Sequence, residues 1–206
     1  MKENIIHTSS NDKARLIIEK HNSIIGTAEA IRSGIHPRTL YQLRDNGVIE
    51  QITRGVYRLA EQGDITNPDL VTVAKRVPQA VICLISALSF HNITTQIPHA
   101  VSIALKRGAE SPRLDNPPIT IHRFSDTALK EGIEKHSIDR VSVNIFSPEK
   151  TIADCFKFRN KIGMDVVLEA LKLYKSRKKF NLSELLKYAK ICRVENFIRP
   201  YLEMIA

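Results

Sequence analysis

The chain has 206 residues, of which 43% are hydrophobic, enough to bury the core of one large or two small domains. Its longest apolar run is too short for a membrane span, and its first residues lack the apolar stretch of a secretory signal, so we expect a cytoplasmic protein without membrane contact. Three scattered cysteines exclude a disulfide framework and a CxxC metal pair, and the net charge of +9 favours a polyanionic partner.

The first two predicted elements are helices. One begins near Asp12, because the apolar residues that follow it have helical spacing. The other covers residues 28–33 and begins after Thr27, a residue type that often caps helix N-termini. Two short helices alone indicate no particular function.

A third helix follows a tight turn at Gly34. Pro37 stands at its first position, where the missing N–H of proline is harmless. The helix is predicted to run to about Asn46 and to stop at Gly47, since glycine easily adopts the left-handed conformation of a helix C-terminus. The pattern predicts a helix-turn-helix.

A short β-hairpin is predicted directly after this helix. Apolar residues at strand spacing precede Thr53-Arg54-Gly55, and residues 56–59 follow it as a second strand. The order helix, turn, helix, hairpin is that of a winged helix-turn-helix.

The third helix has the pattern of a DNA-reading helix. With Leu40 and Leu43 taken as inward, Arg38 points outward at 100° per residue, and Gln42 lies about 130° from the core direction. Such a face can address base edges and phosphates in a major groove, although a solvated basic surface has the same pattern. The candidate DNA-binding residues on this helix and on the hairpin are Arg38, Thr39, Tyr41, Gln42, Arg44, Arg54 and Arg58.

The basic charge lies mainly outside this winged unit. Residues 1–67 hold nine Lys and Arg against eight Asp and Glu, a net +1, whereas residues 68–206 hold twenty-two against fourteen, a net +8. Much of the surplus lies in residues 157–179. That stretch is either a solvated helix face, an extension of the nucleic-acid footprint or a site for an acidic partner.

The rest of the chain predicts a sheet followed by helices. Residues 61–68 form a candidate boundary, since they hold glycine, asparagine and proline. Ser147 and Pro148 mark a clear helix start. The predicted elements before it are a helix at 69–76, a buried strand or helix start at 80–85, strands at 101–105, 119–124, 133–138 and 141–146, and a helix at 125–131.

The fold class that follows is α+β, with an N-terminal winged helix-turn-helix, a mixed sheet domain and a C-terminal helical bundle. We predict a DNA-binding domain at residues 1–62 and an α+β effector domain at 63–206. The sheet region of the second domain covers about 80–146, and its helices cover about 148–205.

Motifs for catalysis are missing from the sequence. There is no GxGxxG, Walker A or HExxH motif, no acid followed two positions later by lysine, and no nucleophile motif. His91, His99 and His122 could converge in the sheet domain. We expect no enzyme activity, no catalytic residue, no cofactor and no metal.

Several segments resemble the AbiEi antitoxins of bacterial type IV (AbiE) toxin–antitoxin systems. Residues 26–30 and 54–59 are similar to the winged helix of that family, and residues 86–91 and 147–155 to its later helix starts. The resemblance implies that the winged helix represses its own operon by binding operator inverted repeats in double-stranded DNA. It also implies that the C-terminal domain opposes a nucleotidyltransferase-type toxin, with no stable complex required.

Two alternatives stay open from the sequence. The winged helix could serve only as a docking surface in a protein-interaction module. The chain could also be a regulator of this family without a toxin partner.

Overall fold

The structure is a computed structural model that describes residues 9–63 and 65–205. It divides into two compact units, one made of Met1–Pro78 with Ile138–Val141 and the other of Gln79–Ser137 with Ser142–Ala206. The first eight residues of the predicted 1–62 domain lie outside the described part. None of the helices in the described part is long and apolar enough to cross a bilayer.

The first unit is a small three-stranded sheet covered by helices. Its strands have the order β1-β3-β2, and both pairings are antiparallel. The predicted winged helix-turn-helix is present. In chain order its elements are α1 (Ser10–Lys20), β1 (Ile24–Gly26), α2 (Thr27–Arg32), α3 (Pro37–Asp45), β2 (Ile49–Thr53), β3 (Val56–Leu59) and α4 (Pro68–Arg76).

The start of α2 differs from the prediction. Gly26, rather than Thr27, is the N-cap, because Gly26 ends β1 and pairs with Val56 of β3. The Glu29 carboxylate accepts the N–H of Gly26 at 3.3 Å, which satisfies one of the free donors of the helix start. Thr27 is the first helical residue, and its hydroxyl donates to the carbonyl of Gly55 instead of capping the helix.

The first unit extends past the predicted boundary at residue 62. The reason is α4, which packs against all three strands of the wing sheet and buries Leu70, Val71 and Val73. An apolar helix face of this kind adds to the core of the unit it covers. The functional boundary at residue 62 stays a prediction.

The second unit combines a five-stranded mixed sheet with a group of helices, as predicted. The strand order is β6-β5-β4-β8-β7, with β4 parallel to β8 and antiparallel to β5. The elements are β4 (Val81–Ile82), α5 (Leu84–Phe90), β5 (Val101–Lys106), β6 (Ile119–Phe124), α6 (Asp126–Lys130), β7 (Ile133–Ile138), β8 (Val141–Phe146), α7 (Pro148–Lys157), α8 (Arg159–Ile162), α9 (Met164–Lys175), α10 (Leu182–Cys192) and α11 (Glu195–Ile205).

Helix α7 lies at the centre of the second core. Its Ser147 cap accepts the N–H of Lys150, and seven of its residues, 150–156, are buried. It packs against α5, α9 and α10, so it is covered from several sides. The three cysteines are free and buried.

Candidate nucleic-acid interface

Helix α3 begins and ends as its sequence predicts. His36 caps it, with Nδ1 accepting the N–H of Arg38 at 3.2 Å, and Pro37 occupies the first position. Gly47, just past the end, has φ +69°, a conformation that glycine adopts without steric penalty. The helix therefore has fixed ends, and its rotation about its own axis is set by its apolar side.

The inner side of α3 is the predicted one. Leu40 and Leu43 are each 1% exposed and belong to the core of the first unit. Thr39 is buried with them, and its hydroxyl lies 3.4 Å from that of Ser10 in α1. Thr39 was predicted as a DNA-binding residue, but the structure turns its side chain towards α1 and away from solvent.

The outer side of α3 carries Arg38, Tyr41 and Gln42, all exposed. The side chains of Arg38 and Gln42 make no hydrogen bond or ion pair with other described residues, so their donors and acceptors are open to a ligand. Tyr41 is 46% exposed, high for an aromatic side chain on a small unit. Hydrophobic anchors and open polar groups thus occupy opposite sides of one helix.

Arg44 is exposed but engaged. Its Nε and Nη2 donate to Asp45 at 2.9 and 2.7 Å, and its guanidinium lies 5.2 Å from the Tyr41 ring centre. The hydrogen bonds and charge of Asp45 raise the pKa of the Arg44 guanidinium above its ordinary value. The pair is locally neutral, so Arg44 adds little net positive charge to this surface.

The turn of the wing is fixed by two helices. Gly55 has φ +78°, and its carbonyl accepts both the N–H and the hydroxyl of Thr27, at 2.8 and 3.2 Å. Arg76 of α4 donates from Nη1 to the carbonyl of Arg54 at 2.8 Å. The Arg54 side chain is exposed at this turn.

Arg58 lies on the hairpin, as predicted, but its side chain is engaged within the wing sheet. It stands on β3 directly opposite Glu50 of β2, and the two side chains form an ion pair across the strands. Arg58 also donates to the carbonyl of Gly63, and its side chain is only 15% exposed. It is held inside the wing sheet rather than presented at its rim.

Ion pairs neutralise several acids of the first unit. Arg15 binds both Glu19 and Glu61, at 3.1 and 2.8 Å, and Lys75 binds Glu29 at 3.0 Å. Within the described residues, Arg38 is paired with no acid. A unit with almost no net charge can therefore present a positive group where α3 faces solvent.

Sequence reasoning missed Arg76 and the true role of Thr27. Both support the wing turn through hydrogen bonds to backbone carbonyls, which leave no periodic or compositional signal. Arg76 also lies beyond the predicted domain boundary. A cap-type residue such as Thr27 signals a helix start but does not reveal which distant carbonyl it contacts.

A family comparison agrees with this geometry. Residues 12–60 match the family described as "Transcriptional regulator, AbiEi antitoxin". The match covers nearly all of α1 and continues to the end of β3, and it confirms the resemblance found in the sequence. It supports a regulator or antitoxin role for the protein.

The fold of most of the chain resembles a solved structure. The crystal structure of RV2827C protein from Mycobacterium tuberculosis aligns with a TM-score of 0.56 and 13% identity, covering 86% of this chain and 70% of that chain. At this identity the likeness concerns the fold alone. No curated protein sequence gives a significant match.

Proposed function

We propose that this protein is a DNA-binding repressor of its own operon and an antitoxin that opposes a nucleotidyltransferase-type toxin. The observation that carries the DNA-binding part is the division of α3, with Leu40 and Leu43 buried while Arg38 and Gln42 are exposed. The family match over residues 12–60 supports both parts of the proposal. Such a repressor would act in the cytoplasm, where bacterial DNA lies.

The exposed groups of α3 suit the major groove. Arg38 is the second residue of α3, and in helix-turn-helix proteins the N-terminal residues of the recognition helix contact base edges. Arginine binds guanine through two donors, and glutamine binds adenine through a donor and an acceptor. We therefore assign base contacts to Arg38 and Gln42, with Tyr41 and Arg44 beside them.

The wing would contact the DNA backbone through Arg54. Its turn is held by Thr27 and Arg76, so an arginine there is presented on a fixed loop. Arginine contacts to phosphate position a protein on the duplex without reading sequence, and they make affinity fall with salt. Thr39 and Arg58 are left out of the proposed contact set because both are engaged inside the unit.

A gel-shift titration with the DNA upstream of the operon tests the DNA-binding part. We expect binding that weakens steeply with salt and is lost in the double variant Arg38→Ala, Arg54→Ala. The double variant Lys13→Ala, Lys20→Ala is the matched control, because it removes two exposed positive charges from α1 of the same unit. Unchanged affinity in the double variant would overturn the contact assignment.

A protein-docking role is the second candidate, favoured by the net charge of only +1 over residues 1–67. In that case the same face of α3 would bind another protein, and no duplex would shift in the gel. A third candidate is a regulator with no toxin partner. Whether a toxin gene lies next to this one distinguishes that candidate from an antitoxin. A toxin gene there that this protein neutralises would support the antitoxin role.

A further inference from the structure

Two histidines and a glutamate of the second unit lie together. One nitrogen each of His91 and His136 and a carboxylate oxygen of Glu134 are within 4.8 Å of one another. His91 caps the C-terminus of α5, while Glu134 and His136 are two residues apart on β7 and share one face of that strand. Three possible metal ligands are thus held by two regular elements.

The pair on β7 already has nearly the spacing that a metal ion requires. Nε2 of His136 lies 3.0 Å from Oε2 of Glu134. Two ligand atoms of a tetrahedral zinc ion, with bonds of about 2.0–2.2 Å, lie about 3.3 Å apart. The side chains of His136 and Glu134 are 29% and 45% exposed, so an ion can reach them from solvent.

The backbone hydrogen bond of His91 selects one tautomer of its ring. Nε2 of His91 lies 2.7 Å from the carbonyl oxygen of Phe146, which can only accept, so Nε2 donates and carries the proton. The lone pair of the neutral ring is then on Nδ1. Histidines that bind metals commonly donate their other N–H to a backbone carbonyl in this way. The rings of His91 and His136 meet edge to face, with centres 5.7 Å apart.

We propose that His91, Glu134 and His136 bind a divalent transition-metal ion, with Zn²⁺ as the first choice and water completing the coordination. Two imidazoles and one carboxylate are a ligand set that zinc uses where it keeps an open position. Imidazole also suits Co²⁺ and Ni²⁺, whereas Mg²⁺ and Ca²⁺ prefer oxygen ligands. The site is independent of the DNA-binding proposal.

One nearby charge opposes the ion. Arg177 donates to the backbone carbonyls of His91 and Asn92, the latter at 2.8 Å, so a guanidinium lies beside this ligand. The Glu134 carboxylate offsets it. Because β7 is an edge strand of the sheet, the bound ion would tie that edge to the end of α5. Metal binding would therefore stabilise the folded state of the second unit.

These ligands differ from the histidines grouped by the sequence. His91 is joined by His136 rather than by His99 and His122, and His122 packs edge-on against Phe158 with ring centres 5.5 Å apart. The ligands come from two separate elements, so no HExxH or CxxC motif marks them. The earlier expectation of no metal depended on such motifs.

Calorimetric titration of tag-free, EDTA-treated full-length protein with ZnCl₂ tests the proposal, with Co²⁺ absorption reporting coordination. We expect one site, and a dissociation constant raised at least tenfold in His136→Gln and in Glu134→Gln. At a hundredfold excess of Zn²⁺ over that constant, the Tm of the wild type should rise by about 5 °C or more. His99→Gln, which removes an exposed histidine of the same unit, should behave as the wild type.

Two results would contradict the metal-binding proposal. Absence of Zn²⁺ binding by the folded wild type would overturn the proposal. Equal affinity in His136→Gln and the wild type would do the same, since it would place the ion elsewhere. Circular dichroism establishes that each variant is folded.

Discussion

Lys150 and Asp154 form an ion pair one turn apart in α7, and neither side chain is exposed to solvent. The ammonium group lies 4.2 Å from the ring centre of Phe146, and the Cys192 thiol donates to the other oxygen of Asp154 at 3.1 Å. Burial raises the pKa of Asp154, against the opposing charge of Lys150. Removing Lys150 or Asp154 therefore leaves the other as a buried charge without its counterion.

Removing one member should be costly. Lys150→Met leaves a buried carboxyl without its cation, and we expect a loss of about 3–5 kcal/mol in the free energy of unfolding at pH 7. Acid should lessen this loss, because the isolated carboxyl of the folded variant takes up a proton more readily than the unfolded chain does. Urea denaturation at pH 7 and pH 5 measures both effects.

The double variant Lys150→Met, Asp154→Leu is the control for that experiment. An apolar replacement of both members removes the buried charge altogether, and we expect stability near that of the wild type. A double variant as unstable as Lys150→Met would show that packing, rather than charge, accounts for the loss.

Glu29 is the basis of a pH prediction in the first unit. Partial burial raises its pKa, but the hydrogen bond and charge of Lys75, the N–H of Gly26 and the proximity of His21 outweigh burial, so the net pKa is lowered from 4.5. The carboxylate thus stabilises the fold above pH 4.5, and this contribution is lost as the pH falls through the lower folded-state value.

We expect Glu29→Gln to destabilise the protein by about 1 kcal/mol at pH 7, with the difference from the wild type shrinking below pH 4.5. Denaturation curves over this pH range measure it. Glu61→Gln is the matched variant, since Glu61 is 70% exposed and its ion pair with Arg15 should contribute almost nothing. Equal effects of the two substitutions at pH 7 would contradict the assigned role of Glu29.

Gly55→Ala tests the wing turn. An alanine at φ +78° is strained, and its Cβ would lie 2.5 Å from Nη1 of Arg76 and 3.2 Å from Oγ1 of Thr27. We expect a loss of about 1–3 kcal/mol in stability and weaker DNA binding, since the turn presents Arg54. Gly63→Ala is the control because nothing lies within 4 Å of its added Cβ. DNA affinity at the wild-type level in Gly55→Ala would show that the conformation of the wing turn does not affect DNA binding.

The two proposed activities should be separable. The double variant Arg38→Ala, Arg54→Ala is expected to lose repression of an operon reporter while still rescuing growth when the toxin is expressed. Both substitutions lie in the first unit, and the antitoxin activity is proposed for the remainder of the chain. Expression from an unrelated promoter keeps protein levels equal. Loss of rescue by the folded double variant would contradict the division of labour.

The backbone of α3 and of the hairpin could be predicted because the signals are local. Pro37 fixes the backbone at its own position, whereas Gly47 and Gly55 permit a left-handed turn at theirs, and the structure places all three where the sequence indicates. The same holds for Pro148 at the start of α7. Helix and strand periods then determine which side is buried, as for Leu40.

Side-chain partners could not be predicted in the same way. Arg58 is withdrawn by Glu50 across a strand pair, and Thr39 is buried against Ser10 twenty-nine residues earlier. A helical wheel predicts which side of a helix a residue lies on, but not which residues of other elements contact that side. The three-residue strand β1 was also missed, because so short a strand shows no period.

The length of α3 limits how much sequence one molecule can recognise. Nine residues rise about 13.5 Å, close to four base-pair steps of 3.4 Å. A specific sequence of four base pairs recurs by chance about once in 250 base pairs, whereas a genome presents about 10⁶ or more competing sites. If α3 reads the operator as proposed, one recognition helix cannot single out a promoter. Because the wing contacts only the backbone, selective repression would require a second copy of the protein on the other half of the inverted repeat.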